Sequence, residues 1–467
     1  MSRSSLRAVL VSFFGLVGCG GEDFLLPQNE QPAESAAESV GVLSLQQKIT
    51  DALGQISRHK QICTENPSSS ICQSRPFLYN PNDFNMAPNA GEAILIVDEF
   101  PKLPLRAIRY KNRIKEYLRA QAGGDIGAVL FSWNVPPALS NTLKSFAEPD
   151  LIPAESLRPL SAPLYESFGY LNLDNFGHGS IVFSLLIEAN PRQPIVVLDR
   201  PTLHGIAPTE FCDATGASHE ALLDKSEHAA SELVRIMNEH NVRFVNLSFG
   251  ETFETIRGKW QSACTGSLPS DEILREKLAA YAPIVEALTG TPGVFAAQAA
   301  INASNPQDFP YDFPSQDYPN RMLAGYFTSL DSGLNEQGQG NSGSLVGWPQ
   351  RQNVDIYLNS GVLPQRPFPY NETPLLQVDG FGVDIYPVSA TTTSWITPLA
   401  LSRFIHVRNA TFGTNEMSDL LISAIRTNMV PKVCGQPAAT CVFQDPLLHG
   451  QIEAVRLNYR SREFQEP

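Results

Sequence analysis

Apolar residues fall along this chain into short dense runs separated by longer periodic ones. Residues 93–97 are continuously apolar, the pattern of a strand buried on both faces of a parallel sheet. Residues 194–198 and 242–247 read as further strands, and 293–297 as another. Residues 221–240 place Leu222, Ala229, Leu233 and Met237 at helical spacing. Ser270, followed by Asp271 and Glu272, caps a second helix that the pattern carries through Leu288. A short helix is predicted over 45–56, and residues 181–187 are apolar enough for either a buried helix or a strand. Helices alternating with buried strands predict an α/β fold. The chain has no internal repeat.

The two ends depart from this pattern. Arg3 and Arg7 precede an apolar stretch of 11 residues, 8–18. A membrane-spanning helix needs about 20, so the stretch suits an export signal. Leu16-Val17-Gly18-Cys19 resembles the lipobox of bacterial lipoproteins. That resemblance implies an acylated Cys19 as mature N-terminus and a membrane anchor. Gly20, where an Asp would retain the protein at the inner membrane, implies the outer membrane. An ordinary signal peptide ending near a cysteine is the alternative. Residues 19–42, rich in Gln, Glu, Ala, Ser and Pro, read as a flexible tether. Residues 43–90 read as an N-terminal extension, 91–430 as the main domain and 431–467 as a C-terminal extension.

Charge and cysteines narrow the class. The 467 residues carry 34 Lys and Arg against 48 Asp and Glu, a net charge of −14. With no basic block, the chain would repel a polyanion, which argues against nucleic acid as a partner. Of 7 cysteines, lipidation of Cys19 leaves an even set in an oxidising compartment. Proximity pairs Cys63 with Cys72, Cys434 with Cys441, and so Cys212 with Cys264. No Cys/His spacing suggests zinc, and no other metal or cofactor is expected.

A serine hydroxyl becomes a nucleophile only with a base, a group that holds the base, and donors for the oxyanion. Ser394 stands before an apolar stretch, 399–405, that can continue as a helix, where free N–H groups favour negative charge; the plain reading of such a Ser is an N-cap. His178 lies in Asn175-Phe176-Gly177-His178-Gly179-Ser180 ahead of the run at Ile181. Asp98 ends the strand 94–97, where ligands bind in open α/β sheets. Glu99 is the second candidate acid and His204 the second candidate base.

Together these segments resemble the subtilisin family of serine peptidases. Thr393, Ser394 and Pro398 match its Gly-Thr-Ser-Met-Ala-x-Pro motif, and Gly177-His178-Gly179 its Gly-His-Gly-Thr-His. Residues 294–302 are similar to the strand ending Ala-Ala-Gly-Asn, and 244–250 to Val-Ile-Asn-Met-Ser-Leu-Gly. His204 falls instead in a segment similar to the family's Gly-Val-Ala-Pro turn. The resemblance spans about residues 91–430 and implies a three-layer fold with a mostly parallel central sheet flanked by helices. It implies a triad of Asp98, His178 and Ser394, with Asn302 in the oxyanion hole and Ser248 and Gly250 lining the substrate strand. It also implies protein or peptide substrates and a monomer; calcium enters by family habit alone, without an Asp-rich loop to hold it. Several family glycines are replaced: Phe100, Ile301 and Thr392 stand in their places. Two functions therefore stay open, an active endopeptidase and an inactive relative that binds peptides in the same cleft. An α/β-hydrolase esterase lacks its Gly-x-Ser-x-Gly elbow ahead of the histidine.

Overall fold

A computed structural model describes residues 44–79, 91–100, 106–110, 113–129, 131–146, 157, 159–168, 178–190, 193–300, 310–311, 318–327, 355–359, 377–378, 385–386, 393–413 and 415–429. Their strands are β1 (Arg75–Tyr79), β2 (Ala93–Asp98), β3 (Ile114–Ala120), β4 (Ile126–Ala128), β5 (Phe131–Val135), β6 (Ile195–Asp199), β7 (Val242–Leu247), β8 (Phe295–Ala299), β9 (Arg321–Phe327), β10 (Ile356–Asn359), β11 (Gln377–Val378) and β12 (Ile385–Tyr386). Their helices are α1 (Leu45–Glu65), α2 (Arg106–Arg109), α3 (Pro137–Ser145), α4 (Ser161–Phe168), α5 (His178–Ala189), α6 (Leu203–Ile206), α7 (Pro208–Phe211), α8 (His219–Glu239), α9 (Phe253–Ala263), α10 (Asp271–Ala279), α11 (Ala282–Gly290), α12 (Thr393–Val407) and α13 (Asp419–Met429). A π-helical turn, Arg408–Phe412, extends α12.

The fold is α/β, centred on an eight-stranded sheet of order β10-β9-β8-β7-β2-β6-β3-β4. Every neighbouring pair is parallel except β3 with β4 at one edge. From β2 the chain winds through β3 to β6 on one side, then crosses to β7 and continues outward to β10. The winding reverses around β2, and such a reversal opens a crevice at the carboxyl ends of the strands. Asp98, the last residue of β2, lies in that crevice in register with Asp199 of β6.

Why β2 is apolar throughout is visible in its packing. Ile94 and Ile96 join a core with residues of α1, α3, α5, α12 and α13. Ala93, Leu95 and Val97 point to the opposite face and pack with α8, α9, α10 and α11. Each strand residue thus leaves water entirely, and each large aliphatic contributes about 1.5–3 kcal/mol by doing so. β6 divides likewise, with Ile195 and Val197 on one face and Val196 and Leu198 on the other. This is the three-layer architecture expected from the sequence.

Local departures have local causes. Residues 181–187 are helical, within α5, and buried because α12 packs against them in the first core. The single helix expected from Ser270 through Leu288 is two, α10 and α11, divided at Ala280 and Tyr281. Pro283 stands in the first turn of α11, where its missing N–H costs nothing, whereas inside a continuous helix it would break the ladder. α1 runs nine residues beyond the expected end at Ile56, and Cys63 in its last turn is bonded to Cys72. Cys212 is bonded to Cys264, joining the C-terminal ends of α7 and α9. Cys19, Cys434 and Cys441 lie outside the described residues, as do the signal segment and tether. Among the described residues no helix is long and apolar enough to cross a membrane.

Candidate active site

Asp98 is 1% exposed at the end of β2. Its Oδ1 lies 2.7 Å from His178 Nδ1 and accepts the Glu99 backbone N–H at 2.7 Å. These two residues, 80 apart in sequence, are therefore joined side chain to side chain. The imidazole opens the first turn of α5 and keeps about a third of its surface exposed. Among the described residues Asp98 Oδ2 is buried without a partner, so Oδ1 carries the interaction with His178.

The approach of α5 to β2 depends on Gly179. Its N–H donates to the Glu99 carbonyl at 3.1 Å. A Cβ at this position would sit 2.8 Å from that carbonyl oxygen and 2.8 Å from the Phe100 ring. Phe100 is fully buried. Its N–H donates to Asp199 Oδ1 at 3.1 Å, and its carbonyl accepts from Tyr117 Oη at 3.1 Å. The Phe100 and Tyr117 rings meet edge to face, centroids 6.3 Å apart. The bulk of Phe100 is thus accommodated by the glycine at 179 and by a bonded turn.

Ser394 is the second residue of α12. Its hydroxyl donates to the Ser248 carbonyl at 3.1 Å, while the Ser248 hydroxyl donates to the Ser394 carbonyl at 2.9 Å. The second bond follows from Pro398. A helix would pair the Ser394 carbonyl with the N–H four residues on, which proline lacks. Asn246 Nδ2 completes the lock by donating to Ser248 Oγ at 2.9 Å. Thr393 Oγ1 donates to the Ala300 carbonyl at 2.8 Å. The N-terminus of α12 is therefore seated on the carboxyl ends of both β7 and β8.

Trp395 links the two halves. Its ring stacks on the His178 imidazole, centroids 4.6 Å apart and planes 30° apart. Sequence reasoning passed over this residue, although an aromatic directly after the candidate nucleophile was the available signal. Gly250 lies beyond β7 among the described residues, while Asn302 lies outside them. His204, the rival base, is in α6 and meets Phe211 edge to face. Glu99 is exposed.

Beside the pair lies a buried ionic group. Glu251, 1% exposed, accepts from Thr255 Oγ1 at 2.8 Å and is bonded to Lys259 Nζ. Burial holds the Lys259 ammonium below its ordinary pKa, against the opposing pull of Glu251. Tyr281 and Tyr311, both buried nearby, have their hydroxyl pKa values pushed up, first by burial and then by neighbouring charge. Among the described residues the grouping with metal-ligand chemistry is His59, Cys63 and Cys72, whose cysteines are joined as a disulfide.

Fold and site together define a three-layer α/β protein with a carboxylate–imidazole pair at the switch point of its sheet and a serine-bearing helix N-terminus stacked against it. No known family profile matches the chain, and no curated protein does. Among solved structures it is similar to a lanthipeptide protease, at 10% identity and a TM-score of 0.37, covering 88% of this chain and 97% of the other. A Pseudomonas sedolisin, a serine-carboxyl proteinase solved with two molecules of pseudo-iodotyrostatin, matches at 10% identity and a TM-score of 0.33. That match covers 81% of this chain and 98% of the sedolisin.

Proposed function

We propose that the chain is an exported serine endopeptidase of subtilisin type, anchored to the bacterial outer membrane by a lipid on Cys19. The observation that carries this reading is the 2.7 Å contact between Asp98 and His178 at the carboxyl edge of the sheet. A carboxylate at Nδ1 fixes the tautomer that leaves Nε2 to accept a proton. In the proposed cycle Ser394 Oγ turns from the Ser248 carbonyl toward His178, which takes its proton as the oxygen attacks the scissile carbonyl. Asp98 stabilises the imidazolium. The backbone N–H of Ser394, in the first turn of α12, and the Asn302 amide bind the oxyanion. His178 then returns the proton to the leaving amine, and water releases the acyl group from Ser394.

A second reading rests on the bond from the Ser394 hydroxyl to the Ser248 carbonyl: the cleft binds peptides without cleaving them. Catalytic hydrogen bonds often tighten only with substrate bound, so labelling chemistry is the better judge. A serine-reactive phosphonate labels the purified chain, and the label is lost in Ser394→Ala. A folded parent protein that stays unlabelled establishes the binding reading instead. The anchor is tested apart, by mass spectrometry of the N-terminal peptide for an acylated Cys19.

A further inference from the structure

Arg200 follows β6 directly, and its backbone N–H donates to the carbonyl of Asp98 at 2.7 Å. Its side chain is about four-fifths buried, with 21% exposed. The guanidinium lies over the ring of Phe249, 5.4 Å from the centroid. Phe249 in turn follows Ser248, the residue bonded to Ser394. Arg200 therefore reaches from the end of β6, past that of β2, to the end of β7, the two strands whose ends carry the candidate site.

What the guanidinium lacks is an acceptor. Among the described residues it makes no hydrogen bond, and its Nε is buried without a partner. The carboxylate in ion-pair range is Glu251, at 3.8 Å. Both Glu251 oxygens already serve other donors, Lys259 at Oε1 and Thr255 at Oε2. The other carboxylate acting on Arg200 is that of Glu99, whose residue is exposed to solvent. An arginine offers five donors in a planar fork shaped for a carboxylate. Holding that fork largely desolvated, over an aromatic face and without an acceptor, costs folding energy that a ligand's carboxylate would recover. A chain of net charge −14 repels acidic ligands in general, so attraction here has to be local.

We propose that Arg200 is a specificity residue that binds a carboxylate of the peptide substrate, with Phe249 as the wall of the subsite. The proposal rests on the cleft being a peptide-binding one, as in the preceding section, and adds the chemical class of peptide. The carboxylate can come from an Asp or Glu side chain or from a free C-terminus.

The test is binding to the full chain carrying Ser394→Ala, followed by fluorescence anisotropy, so that cleavage plays no part. One peptide frame carries Glu, Gln or Lys scanned through each position, with the C-terminus free or amidated. The Glu peptide is expected to bind at least about tenfold more tightly than the Gln peptide at one position, as for a charge-assisted hydrogen bond, and the Lys peptide more weakly than either. If amidation alone erases the tenfold gain, the carboxylate read is the C-terminal one. Arg200→Gln brings the Glu and Gln peptides to equal affinity, and Arg200→Lys, a point charge without the fork, keeps only part of the preference. The Glu-to-Gln comparison needs no change at Arg200, so it stands even where Arg200→Gln fails to fold. Equal binding of all peptides, a preference that survives Arg200→Gln, or no binding at about 1 mM overturns the proposal. Failure of the peptidase reading looks different: selective binding without phosphonate labelling of the parent removes catalysis and keeps Arg200, and labelling without selectivity does the reverse.

Discussion

Replacing Gly179 by alanine sets two physical effects against each other. In a helix, alanine is favoured over glycine by up to about 1 kcal/mol, because glycine loses more backbone freedom. Against this, the added Cβ would lie 2.8 Å from the Glu99 carbonyl oxygen and 2.8 and 2.9 Å from two atoms of the Phe100 ring. Ordinary contact begins at 3.4 Å, so the turn and the helix must part by roughly 0.6 Å. Neither side yields cheaply. The carbonyl is held by the Gly179 N–H, and the ring is fully buried against Tyr117. Overpacking of this kind costs about 1–3 kcal/mol, so the clash outweighs the propensity gain and the melting temperature falls by a few degrees. The displaced element is the one that begins with His178, whose bond to Asp98 spans the same gap. A misplacement approaching 1 Å at a reacting group costs about a hundredfold. Phosphonate labelling of Gly179→Ala is therefore expected to slow by about ten- to a hundredfold. The assay is the pseudo-first-order labelling rate beside a thermal melt of the same preparation. A variant that labels at the parent rate and melts at or above the parent temperature refutes the close-approach argument.

Three further outcomes follow from the packing. Ser248→Ala strands the Ser394 carbonyl and the Asn246 amide; unfolding in denaturant should show a loss of about 1–3 kcal/mol, with slower labelling of Ser394. Reduction of Cys212–Cys264, which closes a separation of 52 residues, is expected to cost about 4 kcal/mol on the loop-entropy account, read as a lower denaturant midpoint in Cys212→Ala/Cys264→Ala. Lys277 is buried, its Nζ donating to the Glu210 carbonyl at 3.0 Å, and burial lowers its pKa below 10.5. Its folded form then sheds the proton before the unfolded chain does, so stability relative to Lys277→Met rises with pH just below 10.5. Equal pH dependence of parent and variant in denaturant melts counts against that burial.

How much was legible from the chain differs element by element. The run at 93–97 announced a doubly buried strand, because five consecutive apolar residues leave no face for water. The spacing of Leu222, Ala229, Leu233 and Met237 announced α8. Pro283 was equally visible, yet periodicity carried one helix through it; hydrophobic spacing reports which face is buried, not whether the backbone ladder is continuous. Residues 181–187 stayed ambiguous since burial on all sides erases the period that separates helix from strand. The three candidate residues could be picked out by their settings and by a family resemblance, and Ser248 and Gly250 with them.

The sequence by itself determined the alternation of helices and buried strands, the acidic balance and the residue types available for chemistry, all of which depend on near neighbours in the chain. Only the tertiary structure decided that Asp98 meets His178, that Pro398 leaves a carbonyl for Ser248 to claim, that Gly179 makes room for Phe100, and that Arg200 is left without a hydrogen-bond acceptor among the described residues. Those facts depend on how segments 80 and more residues apart are packed onto one sheet. Register is set by the summed packing of both cores, and no local pattern encodes that sum.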